Sequence, residues 1–168
     1  AGSLVCWKIA CSEALMTSPV KPGHMELALQ EARLAAGRGE VPVGAVIVSP
    51  EGHVVAVAGN RTRELSDPTA HAEVLAIREA CHGLGSERLP GHELFVTLEP
   101  CAMCAAAISF ARIRRLYYGA ADPKGGGVEH GARVFSQPTC HHVPELYPGL
   151  GEDEAGAILK SFFADRRG

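Results

Sequence analysis

The chain has 168 residues and a formal net charge of −3. That length favours one domain with a real core, and the mild negative balance leaves no whole-chain footprint for nucleic acid, so such a partner must be held by a local patch. Apolar residues make up 46% and charged residues 21%, as in soluble globular proteins, and no apolar run approaches the ~20 residues of a membrane span.

Residues 1–24 hold Lys8 and Glu13 inside a faintly apolar stretch and end in a Pro/Gly cluster. They read as a flexible N-terminal extension, neither signal peptide nor anchor, ahead of a single domain over 25–168. Residues 25–38 place Met25, Ala28, Leu29, Ala32, Ala35 and Ala36 at helical spacing, with Gly37 and Gly39 as the stop. "VPVGAVIVS" and "HVVAVAGN" are β-branched runs separated by "PEG", which predicts a hairpin. Asp67 and Pro68 open the next helix, with Pro68 at its first position, a core face of Val74, Ile77, Cys81 and Leu84, and "GLG" as its end.

"HELFVTLE" predicts a strand, and Pro100 starts a helix over "CAMCAAAISFA". "RIRRLYYG" is the next strand and "ADPKGGGVEHG" a loop. Pro138, Pro144 and Pro148 break any long element over 131–149. Glu152 to Arg166 predicts a final helix, acidic first and basic last, in line with the helix dipole. The order α-β-β-α-β-α-β, then loop and helix, implies an α/β fold in which one sheet is covered by helices.

Six cysteines are present: Cys6, Cys11, Cys81, Cys101, Cys104 and Cys140. Their irregular spacing, in a chain of this size without a secretory signal, argues against a disulfide framework and for a reducing cytoplasm. There "CAMC" reads as metal-binding or redox-active. Cys101 and Cys104 are i and i+3 in the first turn of a helix, where unpaired N–H groups and the helix dipole favour thiolate. Two thiolates so placed make half of a tetrahedral zinc site. His71, also at a helix start, is the best of eight histidines for third ligand. A His-Cys-Cys set leaves one of four positions open, the mark of a catalytic zinc. Glu73 stands two residues on, a poor offset for a second ligand but suited to a base that reaches past the metal to water. A lone C-x-x-C or a lone H-x-E carries little. The joint pattern, each half opening a helix, is restrictive.

"GEVPVGAVIV", "GNRTRELSDPTAHAE", "LFVTLEPCAMCAAAISFARI" and "GAADPKGG" closely resemble the bacterial tRNA-specific adenosine deaminases, which are among the established examples of the H-x-E then P-C-x-x-C signature. The resemblance runs from about Met25 to Arg167 and leaves 1–24 outside. The zinc motif is shared with cytidine and guanine deaminases, whereas "DPTAHAE", "ADPK" and "SFFADRR" point to the tRNA branch. It implies a cytidine-deaminase-like, three-layer α/β/α fold with a central five-stranded sheet, and therefore a short last strand within 142–147. It implies conversion of the wobble adenosine of an anticodon, chiefly that of an arginine tRNA, to inosine by a cytoplasmic homodimer with one Zn²⁺ per subunit. Carried over by motif, His71, Cys101 and Cys104 are the zinc ligands and Glu73 is the proton shuttle. Asn60 and Val43 belong to the pocket of the flipped adenine, Asp122 meets a ribose hydroxyl, and Phe163 closes the pocket.

Arg61, Arg63, Lys124, Lys160, Arg166 and Arg167 are candidate phosphate partners, each by itself an ordinary surface charge. Arg112, Arg114 and Arg115 are as well suited to a dimer contact or a sheet edge. "VFSQPTCHHVPELYPG" matches the family pattern loosely. Cys140, His141 and His142 there are either a second metal site or an ordinary loop, the latter favoured by the lack of a fourth ligand. Two other classes stay open: a deaminase of free guanine, cytosine or nucleoside, which the pI near 6.3 mildly favours, and a non-enzymatic structural-zinc module, for which Glu73 would have no use.

Overall fold

β1 (Gly44–Val48) is buried along its whole length, which explains why "GAVIV" is apolar at every position rather than at every second one. Ala45 and Ile47 face one core cluster and Val46 and Val48 the other. The computed structural model of the protein describes residues 22–167. Residues 1–21 of the expected N-terminal extension lie outside them, and its last three residues, 22–24, belong instead to the first helix.

Five strands form one sheet in the order β2-β1-β3-β4-β5. β1 and β2 (Val54–Gly59) are the expected antiparallel hairpin, and β1 also pairs antiparallel with β3 (Glu93–Leu98). β3, β4 (Arg115–Ala120) and β5 (Glu145–Pro148) run parallel. α2 (Ala72–Leu84) and α3 (Ala102–Phe110) cover one face, and α1 (Pro22–Gly37) and α4 (Glu152–Ala164) the other. The three-layer α/β/α architecture with a five-stranded sheet is as expected.

Three details differ from the sequence reading. α2 begins at Ala72 rather than at Pro68. Asp67 instead accepts from the Thr69 N–H and hydroxyl at 2.8 and 2.7 Å, an Asx turn that competes with helix. The core face of α2 is Ala72, Glu73, Ala76, Ile77 and Ala80, while Leu84 is 54% exposed. Small alanines let the helix lie close to the sheet, so the larger residues are displaced from the contact. β5 is real but its four residues are exposed. Tyr147 stacks on Tyr117, which stacks on Phe95, with centroids 4.7 and 4.4 Å apart. The Arg115 guanidinium bridges Glu93 and Glu145 at 2.9 Å each, so Arg115 supports the sheet edge. Cross-strand pairs hold this strand in place of a buried face.

The close approach of α1 to β1 needs a residue without a side chain. A Cβ on Gly44 would lie 1.9 Å from the Ala28 carbonyl oxygen and 2.7 Å from the Ala32 nitrogen. Gly44→Ala is therefore expected to destabilise the fold by about 1–3 kcal/mol or more through overpacking. Urea unfolding checks this, and a loss under about 0.5 kcal/mol, the range of an ordinary surface change, would contradict the packing.

Candidate active site

The parallel β3-α3-β4 unit sets α3 off from the C-terminal end of β3, the sheet edge at which α/β sites collect. Cys101 is the N-cap of α3 in extended conformation, and Cys104 follows one turn inside, fully buried. His71 is likewise the N-cap of α2, at φ −73° and ψ 152°. The first free N–H of that helix, on Ala72, donates to Asn60 Oδ1 at 2.8 Å. Asn60 thus fixes where α2 starts, and with it where His71 points.

The two helix starts meet as expected. His71 Nδ1 lies 3.5 Å from Cys104 Sγ and 3.7 Å from Cys101 Sγ, and all three donor atoms fall within 4.8 Å of one another. Bonds of ~2.3 Å to sulfur and ~2.05 Å to nitrogen in a tetrahedron require N···S edges of about 3.6 Å. The residues fit zinc, with Nδ1 as the imidazole ligand. No other cluster of this kind exists among the described residues. Cys140, His141 and His142 form no second metal site: His142 Nε2 is taken by the Ile113 carbonyl at 2.6 Å, and the Cys140 thiol faces Ser109 and the His142 carbonyl.

The site's charges are interlocked. Hydrogen bonds from Cys104 and then His71 hold the Cys101 thiol down at about 4, while the proton shared with Cys101 and deep burial push Cys104 up. Metal binding requires both sulfurs as thiolates and so displaces the thiol protons of this cluster. The bond to Cys101 raises His71. Glu73 is 4% exposed, and burial pushes its carboxyl up to about 7, with the Cys101 charge adding to the rise. Because His71 is still extended, its ring does not follow the helical 100° step, and both side chains reach the same place despite their spacing.

The other expected site residues fall into two groups. Asn60 and Val43 sit on the zinc side, both buried, with the Asn60 N–H donating to the Val43 carbonyl at 3.1 Å. Asp122 and Phe163 lie across the strand ends, lining a cavity of about 810 Å³ with Lys124, Arg166 and Arg167. Asp122 Oδ1 accepts from the N–H groups of Lys124 and Gly125 at 3.1 and 2.9 Å, so one of its oxygens serves its own loop. Phe163 is 43% exposed at the end of α4.

Two buried carboxylates that the sequence reading does not single out organise the rim. Glu99 accepts from the N–H groups of Asp122, Glu129 and His130 at 2.9, 2.9 and 3.0 Å and from His130 Nδ1 at 2.8 Å. It ties the 122–130 loop to the strand that leads into Cys101. Glu40 does the same for the loop after Asn60. The signal for both is an acidic residue inside an otherwise apolar run, "TLEP" and "GEVPV", which without a partner would not be buried.

Burial alone would raise Glu99, but the donors outweigh it and hold its carboxyl below the ordinary 4.5. A depressed folded value means the stabilisation is complete above 4.5 and disappears as pH falls through the folded value. Wild-type stability is expected to fall below about pH 4.5 with a steeper proton-linked slope than that of Glu99→Gln, which keeps the other depressed carboxyls such as Glu40 and Glu145. Urea midpoints from pH 3 to 7 check this, and equal slopes in the two proteins would contradict it.

Comparison with known proteins agrees with this geometry. Residues 19–120 match the cytidine and deoxycytidylate deaminase zinc-binding region. The chain is 68% identical to the tRNA-specific adenosine deaminase of Agrobacterium fabrum over 85% of its own length and 93% of the relative's. It is 42% identical to that of Bacillus subtilis over 86% and 89%. A solved structure from work on A-to-I editing by tRNA:A34 deaminases at the wobble position is 68% identical, with a TM-score of 0.81 over 83% of this chain and 100% of that one. Guanine deaminase from Nitrosomonas europaea, at 23% identity and a TM-score of 0.74 over 85% and 84%, shares the fold. With its zinc-fitting triad, its buried glutamate and this degree of identity, the chain belongs to the tRNA-specific adenosine deaminase family of zinc-dependent deaminases.

Proposed function

We propose that the protein hydrolytically deaminates adenosine to inosine at the wobble position of a tRNA anticodon, chiefly that of an arginine tRNA. The observation that supports this most is the meeting of His71, Cys101 and Cys104 beside buried Glu73, in a chain 68% identical to a tRNA-specific adenosine deaminase. His71, Cys101 and Cys104 would hold one Zn²⁺ per subunit, which when bound would supply activation of water as the nucleophile. Glu73 takes a proton from the attacking water and passes protons to adenine N1 and to the amine leaving C6, so that water and adenosine become inosine and ammonia. Burial raises the Glu73 carboxyl, which suits it to take up a proton as base and give it back as acid.

With its oxygen committed to Ala72, Asn60 keeps its amide N–H groups for the flipped nucleotide, next to Val43. Leaving the stack costs the base roughly a few kcal/mol, less in a loop than in a duplex. Asp122 reads a ribose hydroxyl through its remaining oxygen, Phe163 closes over the substrate, and Lys124, Arg166 and Arg167 meet phosphates at the rim of their shared cavity. A homodimer belongs to the same reading, which the exposed Phe110 and Val143, at 71% and 53%, support as an apolar contact surface. So does a cytoplasmic location, which suits a tRNA substrate and cysteines kept as thiolates. No helix among the described residues is long and apolar enough to cross a membrane.

Ammonia release from an anticodon stem-loop, free adenosine, cytidine and guanine in parallel tests the substrate class. Turnover of the stem-loop alone is expected, and turnover of a free base alone would overturn the reading in favour of a small-molecule deaminase.

A further inference from the structure

The turn between α1 and β1 buries a carboxylate that the deamination chemistry does not use. Glu40 is 1% exposed. Its Oε1 accepts from the Glu64 and Arg63 N–H groups at 2.8 and 3.0 Å, and its Oε2 from the Thr62 hydroxyl at 3.1 Å. Every one of these donors belongs to a single loop. That loop makes one turn, closed by the Leu65 N–H on the Arg61 carbonyl at 3.0 Å, and Ser66 follows at φ +50°.

The loop is rooted in the active site at both ends. It leaves from Asn60 and returns to His71, and it is stitched to that return by Arg61 N–H to the Ala70 carbonyl at 3.1 Å and Asp67 N–H to the Thr62 carbonyl at 3.0 Å. Outward it presents Arg61, Arg63 and Leu65, the last 51% exposed. The same turn also holds the far wall of the cleft. The Gly39 carbonyl accepts from Arg63 Nη1 at 3.3 Å and from Arg166 Nη2 at 2.8 Å, and Arg166 lines the cavity shared with Asp122 and Phe163.

A buried carboxylate is costly unless its oxygens are met by donors, and here the donors come from one exposed loop that carries Arg61 and Arg63, with Arg61 Nη1 3.3 Å from Glu64 of the same loop. We propose that Glu40 is a positioning residue for RNA: it fixes the 61–66 loop so that Arg61 and Arg63 meet the phosphates beside the target nucleotide without having to be ordered on binding. This rests on the tRNA reading above.

Single-turnover editing of a wobble-adenosine stem-loop, measured across salt concentrations, tests it. Glu40→Gln keeps the volume but turns an acceptor oxygen into an N–H donor that faces other donors. Its half-saturating RNA concentration is expected to rise about tenfold, as for one missing charge-assisted hydrogen bond, with zinc content unchanged and maximal rate within about twofold. The log–log salt slope should become shallower by about 1 for each phosphate that the loop no longer neutralises. Thr62→Val, which deletes one donor only, should give a smaller rise of the same kind and decides the matter if Glu40→Gln does not fold. Wild-type affinity and salt slope in the variants, or a loss confined to maximal rate, would overturn the role of Glu40 while leaving the tRNA reading intact. A wild-type protein that does not edit the stem-loop at all would overturn both.

Discussion

Glu73→Gln is expected to keep its zinc and lose turnover by about 10²–10⁴-fold, the usual worth of a positioned general acid–base. Glu73 is not a ligand in this geometry: the three donors that fit a metal are His71 Nδ1 and the two cysteine sulfurs. The glutamine variant fills the same buried space, so folding and metal content should hold. What it removes is a proton acceptor whose carboxyl is pushed up to about 7, by burial first and by the Cys101 charge second. Metal analysis beside single-turnover rates measures both halves of the claim. A variant that keeps zinc and more than about a tenth of wild-type turnover would place the proton transfer elsewhere.

Cys104→Ala is expected to abolish both metal and activity. Cys104 is fully buried one turn inside α3, so nothing from solvent replaces it, and two ligands do not hold zinc tightly. Chelation should lower the thermal stability of the wild type and leave the variant unmoved. Zinc present at 100 to 1,000 times its dissociation constant stabilises a folded protein by about 2.7–4.1 kcal/mol. The wild type is expected to lose an amount of that order on chelation and regain it with zinc, as followed by thermal unfolding. A Cys104→Ala protein that still binds one zinc per subunit would show that the donor set is wrong.

The parts of the molecule that are legible in the sequence share one property: their cause is local. The 3.6-residue spacing of Met25, Ala28, Leu29 and Ala32, the β-branched runs of the hairpin, and the paired H-x-E and C-x-x-C at helix starts each state their own geometry. The zinc donors fall within 4.8 Å of one another because His71 and Cys101 are helix N-caps at one sheet edge and Cys104 follows within the first turn of α3. The parts that are not legible depend on distant partners. β5 shows no buried face of its own and is held by Tyr147 on Tyr117 and by Glu145 on Arg115. The start of α2 reads four residues early in the sequence because the side chain that takes its first free N–H, Asn60, lies twelve residues upstream of Ala72. Glu40 and Glu99 stand out in the sequence only as acids within apolar runs, and what they hold is visible once the loops that donate to them are in place.

Asp122 shows where motif and geometry separate. Its position in "ADPK" suggests a free carboxylate for the substrate, yet one oxygen accepts from the backbone of its own turn. Gly126 packs beneath it, where a Cβ would come within 2.5 Å of the Asp122 carbonyl and of the Glu99 carboxyl carbon. The loop is therefore built around the two carboxylates together.

The proposed substrate of this site is a nucleotide within RNA. The most direct measurement is nuclease digestion and mass spectrometry of an arginine tRNA bearing wobble adenosine, after incubation with the wild-type protein and with Glu73→Ala. Inosine at the wobble position and nowhere else, formed by the wild type and absent with the variant, is the predicted result. Unchanged adenosine at that position with zinc-loaded wild type, or inosine formed equally by both proteins, would contradict it.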